Sequence, residues 1–133
     1  MTVAVALSAA GVDRDEVALA KGLKFNFEAE GYSVDTVGDG PTALDRLAAA
    51  DPPFDLVVLD LQIGNMGGLA ACMDLRLEQR AGRIPLQRVV LLLDRDADVF
   101  LARQAEADAW MVKPLDPLAL RRTAAETLAA ATA

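Results

Sequence analysis

The chain contains no histidine. That absence excludes Ser-His-Asp and Cys-His nucleophilic catalysis, histidine-ligated metal centres and a phosphohistidine carried by this chain itself. Cysteine is nearly missing too: Cys72 stands alone, so no disulfide closes within the chain and nothing points to an oxidising compartment. Positive charge is in the minority, 13 Lys and Arg against 20 Asp and Glu, and the net charge of −7 is scattered rather than blocked. A surface that neutralises nucleic-acid phosphates is therefore not expected, and neither is direct contact with DNA or RNA. No apolar run reaches the ~18 residues of a membrane span, and no basic segment precedes the first apolar run. A membrane partner and a targeting segment are not expected, and the cytoplasm is the default location.

What is present is enough for one core. A chain of 133 residues with 53% hydrophobic content fits a single domain over residues 1–133. Short apolar runs alternate with longer amphipathic ones: VAVAL (3–7), YSVDTV (32–37), FDLVVLD (54–60), RVVLLL (88–93) and AWMV (109–112) read as strands. Four of these are apolar almost throughout, as strands covered on both faces are. Between them Leu19, Leu23 and Phe27 share one helical face, Leu44 and Leu47 follow Pro41, and Leu69, Cys72, Met73 and Arg76 follow Gly68. Two more helices are predicted over Asp98–Glu106 and Pro117–Ala130, the last with Asp116 as N-cap and Pro117 at its first position. Strict βα alternation implies an α/β fold, a parallel sheet with helices on both faces, whose site lies beyond the C-terminal strand ends.

Two strand ends carry chemistry. In "DLVVLDLQIGNMGG" (55–68) a buried-type strand finishes on Asp60 and enters a loop where Gly64, Gly67 and Gly68 let the backbone turn tightly. In "WMVKPL" (110–115) the last strand delivers Lys113 just before a proline. If both strands share one sheet edge, the lysine faces the aspartate, holds it ionised and offsets its charge, an arrangement suited to accepting a phosphoryl group. On local pattern alone, Asp60 reads equally well as a surface acid closing a strand.

On these residues the chain resembles the receiver domains of two-component response regulators, the CheY-like superfamily, over nearly its whole length. "FDLVVLDLQIGNMGGL" is similar to the family's phosphoacceptor strand and loop, "ADAWMVKPLDP" to its last strand, and "DEVALAKGLKFNFEAEGYSVDTVGDGPTAL" to its first helix, second strand and following turn. The resemblance implies a flavodoxin-like, five-stranded parallel sheet of order 2-1-3-4-5 with five helices. It implies Asp60 as phosphorylation site, Lys113 as the phosphate-binding lysine, and Asp94 and Trp110 at the switch positions. It also implies Mg²⁺ as cofactor, held by Asp60, the backbone carbonyl of Gln62 and an acidic residue from the first loop.

The departures are equally specific. The family's acidic pair after the first strand is replaced by Ser8, Ala9 and Ala10, and counting back from Gly31 and Tyr32 places the acidic position on Asp15. "DRDE" reads first as a helix start, with Asp13 as N-cap and Glu16 completing a capping box, because capping accounts for every acid there. Metal ligation by Asp15 or Asp13 is the other reading, and Mg²⁺ binding is expected to be weak. Asp94 stands where the family places a hydroxyl; an ionised carboxylate donates nothing and opposes a phosphoryl dianion. Arg95 follows where a small residue is usual, free to pair with phosphate, with Asp94 or in an exposed salt bridge. Gly64 and Gly67 replace a proline and an acid, loosening the loop after Asp60. Trp110 at the end of the last strand is half-buried core or partner surface.

Two functions stay open. The first is a phosphorylatable receiver, not an enzyme, loaded by a histidine kinase or phosphotransfer protein and signalling to an output domain or effector, alone or as a homodimer. The second is a pseudo-receiver, an interaction module of the same fold that takes no phosphate. An aspartyl phosphatase needs an acid where Gln62 stands, and a flavin carrier needs more than Ser8 and 5% aromatics.

Overall fold

The structure, a computed structural model, describes residues 1–6, 14–61 and 67–130. The side chains of residue 6 and of residues 14–17 also lie outside the described set. Five parallel strands, β1 (Thr2–Ala6), β2 (Ser33–Val37), β3 (Leu56–Asp60), β4 (Val89–Leu93) and β5 (Ala109–Val112), form one sheet of order β2-β1-β3-β4-β5. The helices are α1 (Arg14–Ala29), α2 (Gly40–Ala49), α3 (Gly68–Arg80), α4 (Val99–Gln104) and α5 (Pro117–Ala130). This is the expected α/β arrangement of order 2-1-3-4-5. No helix among the described residues is long and apolar enough to cross a membrane.

Side chains on successive strand residues point to opposite faces, so each central strand feeds two cores. Val57, Leu59, Leu91 and Leu93 pack with Leu47 of α2 and Leu75 of α3 on one face; Leu56, Val58, Val90 and Leu92 pack with Leu23 and Phe27 of α1 and Leu120 of α5 on the other. All five residues of β3 and all five of β4 are buried, which is why their sequences show no polar alternation. Burying each such aliphatic side chain contributes about 1.5–3 kcal/mol before chain entropy is counted. Cys72 joins the first core, its thiol donating to the carbonyl of Ala105 at 3.2 Å.

Local chemistry sets the helix starts. Asp39 caps α2 by accepting the amide of Thr42 at 2.7 Å, and that bond holds its carboxyl below the usual range. Asp116 accepts the amides of Leu118 and Ala119 at the start of α5, as expected. The expected N-cap Asp13 lies outside the described residues. The helix anticipated over 98–106 is shorter: α4 has only six residues, a 3-10 turn at Asp96–Asp98 leads into it, and the chain leaves it through Glu106 at φ 62°. β3 starts at Leu56, two residues later than its apolar run; Asp55 before it bonds Thr2 of β1 both ways, its amide to the carbonyl at 3.0 Å and its carboxylate accepting the amide at 2.8 Å.

The sheet's N-terminal edge is held by a buried cation. Arg76 of α3, 6% exposed, donates to the carbonyls of Gln87 (2.8 Å) and Glu106 (3.0 Å) and pairs with Asp108 at 2.9 Å. Asp108 in turn accepts the amide of Val89 at 2.7 Å. One guanidinium thus ties α3 to the entrances of β4 and β5, at the end of the sheet remote from Asp60.

Candidate functional site

Asp60 is the last residue of β3, opposite Leu92 in the register, and only 1% exposed. The chain turns sharply around it: the amide of Leu61 bonds the carbonyl of Leu92 at 2.9 Å, and the amide of Gly68 returns to the carbonyl of Leu61 at 2.9 Å. Gly67 sits at φ 77°, a conformation L side chains rarely adopt, and Gly68 lies against the backbone of Asp60 with no room for a Cβ. The glycines after the strand are therefore what lets a buried strand finish on an acid with α3 starting beside it.

Lys113 arrives from β5, where its amide bonds the carbonyl of Leu93 at 2.8 Å. Its Nζ donates to Oδ1 of Asp60 at 2.7 Å and to Oδ1 of Asp94 at 3.3 Å. Burial alone works to lower the ammonium's pKa; the hydrogen bond to Asp60 and the charges of Asp60 and Asp94 outweigh it and hold the group above the ordinary lysine value. Three neighbouring strand ends, those of β3, β4 and β5, thus deliver two carboxylates onto one ammonium.

Asp94, a third exposed, reaches the ammonium from the rim. It meets Asp60 through Lys113, not as a bare like charge across a cleft. Arg95 pairs with the buried Asp98 at 3.1 Å across the 3-10 turn. Trp110 stands apart on β5, half-buried against the first core, with the guanidinium of Arg103 from α4 5.5 Å from its ring centre.

Of the residues expected to hold Mg²⁺, only Asp60 can be placed: Gln62 and Asp13 lie outside the described residues, as does the side chain of Asp15, and so do Ser8, Ala9 and Ala10 that replace the acidic pair. Gly64 lies outside them too. Asp60 is the hard oxygen donor that Mg²⁺ takes, but no group of three or more acidic or cysteine residues converges on a cation site among the described residues. The pairing of Asp94 with Lys113 was missed from sequence, although the order β3-β4-β5 makes their strand ends neighbours.

Residues 12–125 match the family model of the response regulator receiver domain. The chain belongs to that family. The match is supported by curated relatives: it is 33% identical over 106 residues to the alkaline phosphatase synthesis transcriptional regulatory protein PhoP of Bacillus subtilis, covering 77% of this chain and 41% of that protein. It is 35% identical over 105 residues to the phosphate regulon transcriptional regulatory protein PhoB of Rhizobium meliloti, covering 77% and 44%. The chain spans less than half the length of these relatives. Among solved structures it is similar to a two-component response regulator from Clostridium difficile (TM-score 0.79, 16% identity, 100% and 99% of the two chains covered). It is also similar to the receiver domain of the sensor histidine kinase PA1611 from Pseudomonas aeruginosa, described with magnesium coordinated in its active-site cleft (TM-score 0.74, 16% identity, 96% and 97% covered). These structural likenesses establish the fold. The receiver domain is a signalling module, and phosphoryl acceptance is typical of it.

Proposed function

We propose that Asp60 accepts a phosphoryl group from a phosphohistidine on a partner kinase or phosphotransfer protein. The carrying observation is the buried carboxylate of Asp60 held 2.7 Å from the Lys113 ammonium. A carboxylate oxygen of Asp60 attacks phosphorus, the P–N bond breaks, and its electron pair stays with the departing imidazole. Lys113, fixed by its backbone bond to Leu93 and already beside the nucleophile, offsets charge on the transferring phosphoryl and costs little reorganisation. Mg²⁺, when bound, would lie against Asp60, with the carbonyl of Gln62 and a carboxylate such as Asp15 as further donors, and would neutralise phosphoryl oxygens. Because Ser8, Ala9 and Ala10 stand where the family has its acidic pair, binding of Mg²⁺ is expected to be weak.

In this reading residues 1–133 form one cytoplasmic domain that signals and has no separate substrate. The output is a linked domain or an effector protein reached through the face carrying Trp110 and the exposed Phe100, with a second copy as one such partner. The second reading, a pseudo-receiver, draws on Asp94, which occupies the same ammonium that a phosphoryl group needs. Intact mass after incubation with acetyl phosphate and Mg²⁺ separates the two: a gain of one phosphoryl group that vanishes in Asp60→Asn supports the receiver, and no gain supports the pseudo-receiver.

A further inference from the structure

We propose that Asp94 is an internal anion that the phosphoryl group expels, so that modification of Asp60 releases the β4–α4 segment where a hydroxyl at this position would draw it in. The inference rests on phosphoryl acceptance by Asp60. Its basis is the sharing of one ammonium by two carboxylates. Lys113 carries a single positive charge, and on phosphorylation the single negative charge of the Asp60 carboxylate gives way to about −1.5 to −2 on a bulkier phosphoryl group that claims the same ammonium. Asp94 then loses its bond to Lys113 and faces a stronger like charge. It is acceptor-only while ionised and has nothing to offer a phosphoryl oxygen.

The geometry decides which acid leaves. Asp60 is sealed in the strand, 1% exposed, and bonds Lys113 at 2.7 Å; Asp94 is 35% exposed and holds on at 3.3 Å. Asp94 has water to move into. The segment after Asp94 is short and moves with it: extended Arg95, the 3-10 turn closed by the amide of Asp98 on the carbonyl of Arg95, the Arg95–Asp98 pair, and the six residues of α4. α4 carries Arg103 over the ring of Trp110, so displacement of the segment changes the surroundings of the chain's only tryptophan.

Hydrogen exchange of peptides over residues 94–104 and Trp110 fluorescence, recorded with intact mass before and after acetyl phosphate and Mg²⁺, test this. In the wild type, exchange over 94–104 is expected to rise severalfold on phosphorylation. Asp94→Asn, which loses its charge but keeps its shape, is expected to exchange faster already when unmodified and to change little on modification. In Asp94→Thr the added hydroxyl is expected to reverse the sign, with exchange slowing on phosphorylation. A wild-type mass gain accompanied by slower or unchanged exchange overturns the expulsion and leaves phosphoryl acceptance standing; slower exchange is what an Asp94 that took up a proton and bonded the phosphoryl would give. Absence of any mass gain overturns both.

Discussion

Gly68 stands directly against the backbone of Asp60: a Cβ built on it would lie 2.0 Å from the Asp60 carbonyl oxygen and 3.0 Å from Cα of Leu61. Both neighbours are backbone, so neither can swing aside. Gly68→Ala is therefore expected to cost about 3 kcal/mol or more in urea unfolding and to slow phosphoryl uptake at least severalfold, by shifting the strand end that presents the acceptor. Gly22 in α1 is the control. A Cβ there meets nothing within 4 Å, and Gly22→Ala is expected to stabilise by about 0.5–1 kcal/mol with uptake unchanged.

Removing the ammonium exposes what it holds. Lys113→Met leaves the buried Asp60 carboxylate without its countercharge, an expected loss of about 3 kcal/mol, and phosphoryl uptake should fall with it. Adding Asp60→Asn should restore much of the stability and none of the uptake. The pH dependence has a definite sign: a folded pKa raised above the unfolded value means the Lys113 contribution is complete below about pH 10.4 and is lost as pH climbs through the raised folded value. Urea midpoints of wild type and Lys113→Met measured from neutral to strongly alkaline pH should converge only at the alkaline end.

Arg76 ties α3 to the entrances of β4 and β5, far from Asp60. Arg76→Met leaves the Gln87 and Glu106 carbonyls without their donor and the Asp108 carboxylate without its closest cation, and a loss of about 3 kcal/mol is expected. Because this cluster lies at the opposite end of the strands, the initial rate of phosphoryl uptake per folded molecule should match wild type. A rate falling in step with stability would show that the two sheet edges are coupled.

The thiol of Cys72 is fully buried, and that burial pushes its pKa up to about 11. Iodoacetamide at pH 8 is expected to leave the native protein unlabelled for hours while modifying it quickly in urea. Rapid native labelling would mean that α3 opens from the sheet far more often than its packing implies.

The five strands were legible because each is a burst of apolar residues ended by a turn signal, and their alternation with helices implied a parallel sheet; the strand order came only with the resemblance to the receiver family. Asp60 and Lys113 were legible only as a pair: either alone reads as well as a surface charge closing a strand, and it is the parallel sheet that sets both strand ends on one side. The short α4 and the 3-10 turn before it were not, since Asp98 suits the start of a helix as well as the end of a 3-10 turn and no glycine or proline marks the stop after Gln104. Arg76 was counted among the helical residues after Gly68, but its role depends on Gln87, Glu106 and Asp108, which are brought to it only when α3 docks. The bond from Asp94 to Lys113 is equally non-local: like charge with Asp60 was visible along the chain, whereas the cation between them arrives from β5.

Because β1 lies between β2 and β3, while β4 and β5 add in turn at one edge, a ribosome delivers the sheet nearly in its order of assembly. β1, β2 and β3 can pair before β4 has been translated. Asp60 emerges 53 residues ahead of Lys113 and must stay hydrated until its partner arrives. From the completion of β3 onward, the carboxylate at the centre of the finished site has to keep its water, and docking of the last strand both completes the sheet and replaces that water with an ammonium.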